Sequence, residues 1–144
     1  MNNIKIGGFT LLEIMIVIII LGLLASLTIP SLMSNKNRAD RQKTLSDIAA
    51  LENALDMYKL DNGHYPTEQQ GIDSLALKPT ELPTPRNYPL NGYIRRLPQD
   101  PWGNSYQLSN PGKHGEIDIF SFGPDRVAGT EDDINNWLES SIVE

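Results

Sequence analysis

Residues 9–29 form an almost unbroken apolar run, FTLLEIMIVIIILGLLASLTI, in which Glu13 is the single charged residue. A helix rises about 1.5 Å per residue, so this run spans about 30 Å, the thickness of the hydrocarbon core of a bilayer. Lipid offers no hydrogen-bond partners to a free backbone, so such a run is helical inside a membrane. The sequence therefore predicts that residues 9–30 form a transmembrane helix.

Glu13 is costly in such a helix, because insertion of a charged side chain at the bilayer centre costs about 2.5 to 3.5 kcal/mol. The run contains no Lys, Arg or His that could neutralise the carboxylate. A cut between Gly8 and Phe9 would create a new amino terminus close to it. The free amine is therefore the nearest candidate partner of Glu13.

The short leader MNNIKIGG and the apolar run behind it resemble the class III signal of the type IV pilin superfamily. The resemblance implies that a prepilin peptidase removes residues 1–8 by cutting after Gly8, and that it methylates Phe9. Glu13 then becomes the fifth residue of the mature chain, as in that superfamily. The alternatives are an ordinary secretory signal, which a Glu in the apolar region and the lack of an A-x-A site disfavour, and a plain single-pass anchor, which leaves Glu13 unexplained.

The remainder of the 144-residue chain, residues 31–144, fits one small domain of about 110 residues. Its formal charge of -6 and lack of a basic cluster argue against nucleic acid as a partner. With no Cys there is no disulfide, and the two His residues are isolated. No arrangement of a nucleophile with a base and no Gly-rich phosphate loop is evident, so we expect a structural subunit and not an enzyme.

A stripe of apolar residues at three- and four-residue steps predicts that the first helix continues from Phe9 to Leu60 and covers a sheet. The stripe consists of Leu45, Ile48, Leu51, Leu55 and Tyr58, widened by Ala49, Ala50 and Ala54. Gly63 is typical of a helix C-terminal cap. Thr67 and Gln70 have the spacing of a capping box, which predicts a second short helix over residues 68–77.

The C-terminal third predicts about three antiparallel strands, at residues 93–97, 105–108 and 116–122, with Pro- and Gly-bounded turns between them. A long N-terminal helix packed on a small antiparallel sheet is an α+β fold. We expect the apolar half of the helix to be in lipid and its amphipathic half to belong to the soluble domain.

The segment after the last predicted strand, residues 123–137, is rich in carboxylates. Asp132 and Asp133 are adjacent, and their carboxylates repel each other. If the loop folds back so that they lie near Asp125, this repulsion destabilises the loop unless a cation lies between them. Ca²⁺ suits this role, because it takes six to eight oxygen ligands in flexible geometry. The spacing does not match an EF-hand, and the alternative is a solvated acidic turn.

Several further segments extend the resemblance to nearly the whole chain, and they are similar to the major pseudopilins of bacterial type II secretion systems. These segments are RADRQK, LENALDMYKLDNGHYPT, YIRRLPQDPWGNSYQL, EIDIFSFGPD and DDINNW. The resemblance implies a C-terminal loop that binds Ca²⁺ through aspartates and main-chain carbonyls. The matching aspartates are Asp125, Asp132 and Asp133, with the carbonyls of Phe122 and Val127 as weaker candidates. Arg126 places a cation in the middle of that loop.

The same resemblance implies the function of a structural subunit that polymerises into a periplasmic helical fibre, the pseudopilus, which helps to drive folded exoproteins across the outer membrane. The implied partners are further copies of the chain, minor pseudopilins, the inner-membrane assembly platform and the prepilin peptidase. Glu13 of one subunit would pair with the Phe9 amine of another. The alternatives are the major pilin of a type IV pilus and a membrane-tethered calcium-binding module that never polymerises.

Overall fold

The computed structural model describes residues 8–137, so the predicted leader except Gly8, and the tail after Trp137, lie outside the described residues. Helix α1 spans Leu11–Asn62, a 3₁₀-helix spans Ile72–Leu75, and three strands follow. Strand β1 is Gln107–Ser109, β2 is Asp118–Ser121 and β3 is Ile134–Asn135. The chain divides into two compact units after Arg38, and each is described by itself.

Helix α1 has 52 residues, and both of its ends are capped. At the start, the N–H of Glu13 donates to Oγ1 of Thr10 at 3.2 Å and to the Thr10 carbonyl at 3.1 Å. At the end, Gly63 adopts a positive φ of 81° and donates its N–H to the Lys59 carbonyl at 2.7 Å. The predicted long helix and its Gly63 cap are therefore confirmed.

In the first unit, the side chains of residues 11–26 are all exposed. A search of the described residues finds no helix with the length and apolar character needed to cross a membrane. The assignment of residues 9–30 as a transmembrane segment stays a prediction.

In the second unit, the apolar stripe of α1 forms one side of the core, as predicted. Ile48, Leu51, Leu55 and Tyr58 are at most 2% exposed. Burial of each such aliphatic side chain stabilises the fold by about 1.5 to 3 kcal/mol. The other side of the core comes from the 3₁₀-helix and the sheet, through Ile72, Leu75, Tyr106, Leu108, Ile117, Ile119 and Ile134. Ala49 and Ala50 are exposed and do not widen the stripe, whereas Ala54 does.

Of the helix predicted over residues 68–77, only the 3₁₀-helix Ile72–Leu75 forms, although the predicted capping box exists. The N–H of Gln70 donates to Oγ1 of Thr67 at 3.2 Å, and the N–H of Thr67 donates to Oε1 of Gln70 at 3.0 Å. Gly71 then adopts a φ of 57°, which interrupts a right-handed helix. The box therefore closes a turn, and only the 3₁₀-helix follows.

The sheet has the order β1-β2-β3 with both pairs antiparallel, so the number and direction of the strands are confirmed. The predicted strand over residues 93–97 is wrong, because the N–H groups of Tyr93 and Ile94 donate to the Leu75 carbonyl at 2.8 and 3.1 Å. The third strand is instead β3, in which Ile134 pairs with Ser121. The sheet therefore continues past the acidic segment instead of ending before it.

Candidate metal loop and processing site

The predicted acidic loop is the connection between β2 and β3, residues 122–133. Gly123 closes its base, with a φ of 67° and with its Cα against the backbone of Asp132. A Cβ at this position would collide with the Asp132 carbonyl oxygen, so only glycine allows the two sides of the loop to approach this closely. The fold therefore brings the first and last residues of the loop together.

Within the loop, two of the predicted aspartates hold backbone N–H groups. Oδ1 of Asp125 accepts from Val127 at 2.9 Å, and Oδ2 of Asp133 accepts from Gly129 at 2.7 Å. The Val127 carbonyl accepts a longer bond from Oγ1 of Thr130 at 3.3 Å. These bonds shape the loop and leave part of its carboxylate charge uncompensated.

The remaining oxygen of Asp133, Oδ1, is buried and has no hydrogen-bond partner. A buried carboxylate oxygen without a donor is destabilising, and a bound cation would compensate for it. Asp125 and Asp132 are exposed, and Phe122 is partly buried. The available donors are all oxygens, the ligand type that Ca²⁺ takes, so their chemistry fits this ion.

The structure does not bring the three aspartates together as a cluster. Among residues 8–137, no group of three or more His, Cys, Asp or Glu side chains is arranged to hold a metal ion. The carbonyls of Phe122 and Val127 belong to the same loop. Calcium binding by Asp125, Asp132, Asp133, Phe122 and Val127 therefore stays a prediction.

Arg126, the cation in the middle of the loop, is bonded outside it. Its guanidinium donates from Nη2 to the carbonyl of Trp102 at 2.9 Å. Within the described part of the chain, Arg126 forms no ion pair with a loop aspartate. Its backbone φ is 61°, a left-handed conformation that is uncommon for residues other than glycine.

A further aspartate, Asp118, lies outside the acidic loop at the start of β2 and holds the connection between β1 and β2 in shape. It was not among the site residues predicted from the sequence. It is 3% exposed and accepts backbone N–H groups of Lys113, His114 and Gly115 at 2.7 to 3.3 Å. Burial acts to raise the pKa of Asp118, but these N–H donors and the His114 ring outweigh it and hold the pKa below its ordinary value. The ring of His114 also stacks on Trp137, with centroids 4.1 Å apart.

The residues of the predicted processing site lie at the start of the described chain. Gly8 has no atom within 4 Å of the position that a Cβ would take, and Phe9 is 79% exposed. Glu13 lies in the first turn of α1 and is exposed. An acidic side chain in this position is favourable, because helix N-termini carry partial positive charge.

Comparison with known proteins decides the family. The prokaryotic N-terminal methylation motif matches residues 4–29. The family described as type II secretion system (T2SS), protein G matches residues 31–137. The chain belongs to this protein G family. Its relatives include the type II secretion system core protein G of Pectobacterium carotovorum, 69% identical over 130 residues, which cover 90% of this chain and 83% of the relative.

Two further members of the family support the assignment. The core protein G of Escherichia coli strain K12 is 65% identical over 133 residues, with 92% of each chain covered. The crystal structure of the major pseudopilin of enterohaemorrhagic Escherichia coli is 64% identical and superposes with a TM-score of 0.72, covering 75% of this chain and 91% of that one. The predicted pseudopilin resemblance and the predicted α+β fold are therefore confirmed, and the family favours the pseudopilin over a type IV pilus pilin.

Proposed function

We propose that the chain is the major structural subunit of a type II secretion pseudopilus. The match of the protein G family to residues 31–137 carries this proposal, together with the methylation motif immediately before it. Copies would add head to tail at an interface that does not close on itself, which is the geometry that generates filaments. The resulting periplasmic fibre would help to drive folded exoproteins across the outer membrane. The role is mechanical and requires no catalytic site.

The proposed assembly begins at the amino terminus. A prepilin peptidase would cut after Gly8 and methylate Phe9, leaving the chain as a single-pass protein of the inner membrane with its C-terminal domain in the periplasm. Glu13 of one subunit would pair with the Phe9 amine of another and set the axial register of the fibre. The minor pseudopilins and the inner-membrane assembly platform would be its partners in that process.

Calcium is proposed as the stabiliser of the β2–β3 loop. Asp133 would hold it with the oxygen that lacks a donor, and Asp125, Asp132 and the carbonyls of Phe122 and Val127 would complete the oxygen set. The ion would supply positive charge to the loop carboxylates. Because it would bind the folded loop and not the unfolded chain, it would stabilise the fold as a disulfide does in other small domains.

The Glu13→Gln variant tests the assembly step, because it keeps the size of the side chain and removes its charge. Breaking a buried charge pair costs about 3 to 5 kcal/mol, so we expect at least a tenfold loss of fibres at native expression with membrane insertion unchanged. Glu81→Gln removes an exposed carboxylate on the second unit and serves as the matched control.

N-terminal sequencing of both variants and of the wild-type chain completes the experiment. A mature chain that begins at methylated Phe9 is expected in all three. Normal fibre formation by Glu13→Gln would remove the charge pair from the proposal, and a functional chain that retains residues 1–8 would remove the processing step.

A further inference from the structure

Among the described residues, two hydrogen-bonded attachments of the β2–β3 loop lead to the same segment, residues 99–104. At the base of the loop, Oγ of Ser121 accepts the N–H of Gly123 at 3.1 Å and donates to Oδ2 of Asp100 at 2.7 Å. In the middle of the loop, the Arg126 guanidinium donates to the Trp102 carbonyl at 2.9 Å. Residues 99–104 therefore provide the acceptors to which both parts of the loop are attached.

The conformation of residues 99–104 is held by one buried carboxylate, that of Asp100. Asp100 is 4% exposed, and its Oδ1 accepts the N–H groups of Trp102 at 3.0 Å and Asn104 at 2.7 Å. Its own N–H donates to the Asn104 carbonyl at 3.0 Å. Bonds to an ionised acceptor are about twice as strong as neutral ones. The Trp102 carbonyl is thus presented to Arg126 by a segment whose conformation is held by hydrogen bonds within the segment itself.

We propose that Arg126 is a positioning residue, which anchors the β2–β3 loop on the Trp102 carbonyl and so holds the proposed calcium ligands of the loop in place. The inference rests on the proposed calcium site for its effect on the ion, but the anchoring itself rests on the hydrogen bond alone. The left-handed backbone at Arg126 is consistent with this role, because an uncommon conformation persists where surrounding contacts hold it.

The position of Arg126 between the aspartates suggests the opposite role, that of a competitor for the cation. The two roles predict opposite signs for the Arg126→Ala variant. A competing positive charge repels Ca²⁺, so its removal would tighten binding. An anchor restrains the loop before the ion arrives, so its removal would weaken binding, because the ion would then have to order the loop.

The experiment measures calcium affinity of the full chain in detergent by calorimetry, for wild type, Arg126→Ala and Arg126→Lys. Arg, Ala and Lys all carry a Cβ, so the left-handed backbone at residue 126 costs each of them a similar amount. Lys also keeps the positive charge and an N–H donor. For an exposed anchor of this kind we expect Arg126→Ala to raise Kd roughly threefold to tenfold and Arg126→Lys to restore most of the affinity. An unchanged or lowered Kd for Arg126→Ala would overturn the proposal.

Amide hydrogen exchange in EGTA separates this inference from the calcium proposal. The Arg126→Ala variant should exchange faster at residues 123–133 and at the wild-type rate in α1, since only the loop loses an attachment. If wild type binds no calcium, the proposed metal site fails, and the exchange rates alone still decide the anchor. Equal exchange of the loop in wild type and Arg126→Ala would rule it out.

Discussion

The two connections of the three-stranded sheet are each organised by an aspartate at the edge of a strand, yet the two carboxylates differ in their partners. In the β1–β2 connection, both oxygens of Asp118 accept N–H groups of the loop. In the β2–β3 connection, Oδ2 of Asp133 accepts one N–H, from Gly129, and Oδ1 is buried without a donor. The first loop supplies all the donors that its aspartate needs, and the second does not.

The carboxylate of Asp118 is therefore satisfied by the N–H groups of its own loop, whereas one oxygen of Asp133 has no donor within its loop. The N–H groups of Lys113, His114 and Gly115 converge on Asp118 because the short connection, residues 110–117, turns tightly around it. The longer connection, residues 122–133, extends outward and exposes Asp125 and Asp132 to solvent. A cation at Asp133 would perform the task that backbone donors perform at Asp118.

The largest expected effect is on stability without calcium. Asp118→Asn replaces a carboxylate oxygen with an NH₂ group that faces N–H donors, and we expect it to lower the free energy of unfolding by about 3 kcal/mol. Asp133→Asn changes a partly buried carboxylate that has only one hydrogen-bond donor, and we expect a change within about 1 kcal/mol. Urea unfolding of both full-length variants in EGTA, followed by tryptophan fluorescence, measures the two values. Equal losses of unfolding free energy in the two variants would contradict the proposed difference between Asp118 and Asp133.

The next effect is the response to calcium. At free Ca²⁺ about 100-fold above Kd, binding to the folded state alone raises the free energy of unfolding by about 2.7 kcal/mol. We expect this increment in wild type and in Asp118→Asn, and its loss in Asp133→Asn. Urea midpoints in Ca²⁺ and in EGTA provide the measurement. An increment that survives in Asp133→Asn would place the ion elsewhere or remove it from the proposal.

The parts of the fold that sequence predicted are those encoded by neighbouring residues. The long helix, the buried positions Ile48, Leu51 and Leu55, and the glycine cap at Gly63 follow from spacing along one helix. The Thr67–Gln70 capping box was also identified correctly. Only a 3₁₀-helix follows it, because Gly71 adopts a left-handed backbone conformation that interrupts an α-helix.

The missed features depend on partners distant in sequence. Strand β3 has only two residues, so its sequence cannot show the alternation of apolar and polar residues that indicates a strand. Only its pairing with Ser121 and Phe120 defines it. The segment at residues 93–97 has the composition of a strand, but its N–H groups bond to the Leu75 carbonyl. The same holds for the acidic β2–β3 loop. Its composition singled out Asp125, Asp132 and Asp133, whereas only the fold reveals that one oxygen of Asp133 is buried without a donor.

The smallest effect is the acid dependence of the β1–β2 connection. The pKa of Asp118 lies below its ordinary value in the folded state, so its contribution to stability is complete above the unfolded pKa of about 3.9 and is lost as the pH falls through the folded pKa. The difference in unfolding free energy between wild type and Asp118→Asn should therefore narrow as the pH falls below about 4. Urea unfolding in EGTA between neutral and strongly acidic pH gives that difference directly. A gap that stays constant or widens on acidification would mean that the ionised carboxylate of Asp118 is not what holds this loop, and the contrast with Asp133 would lose its basis.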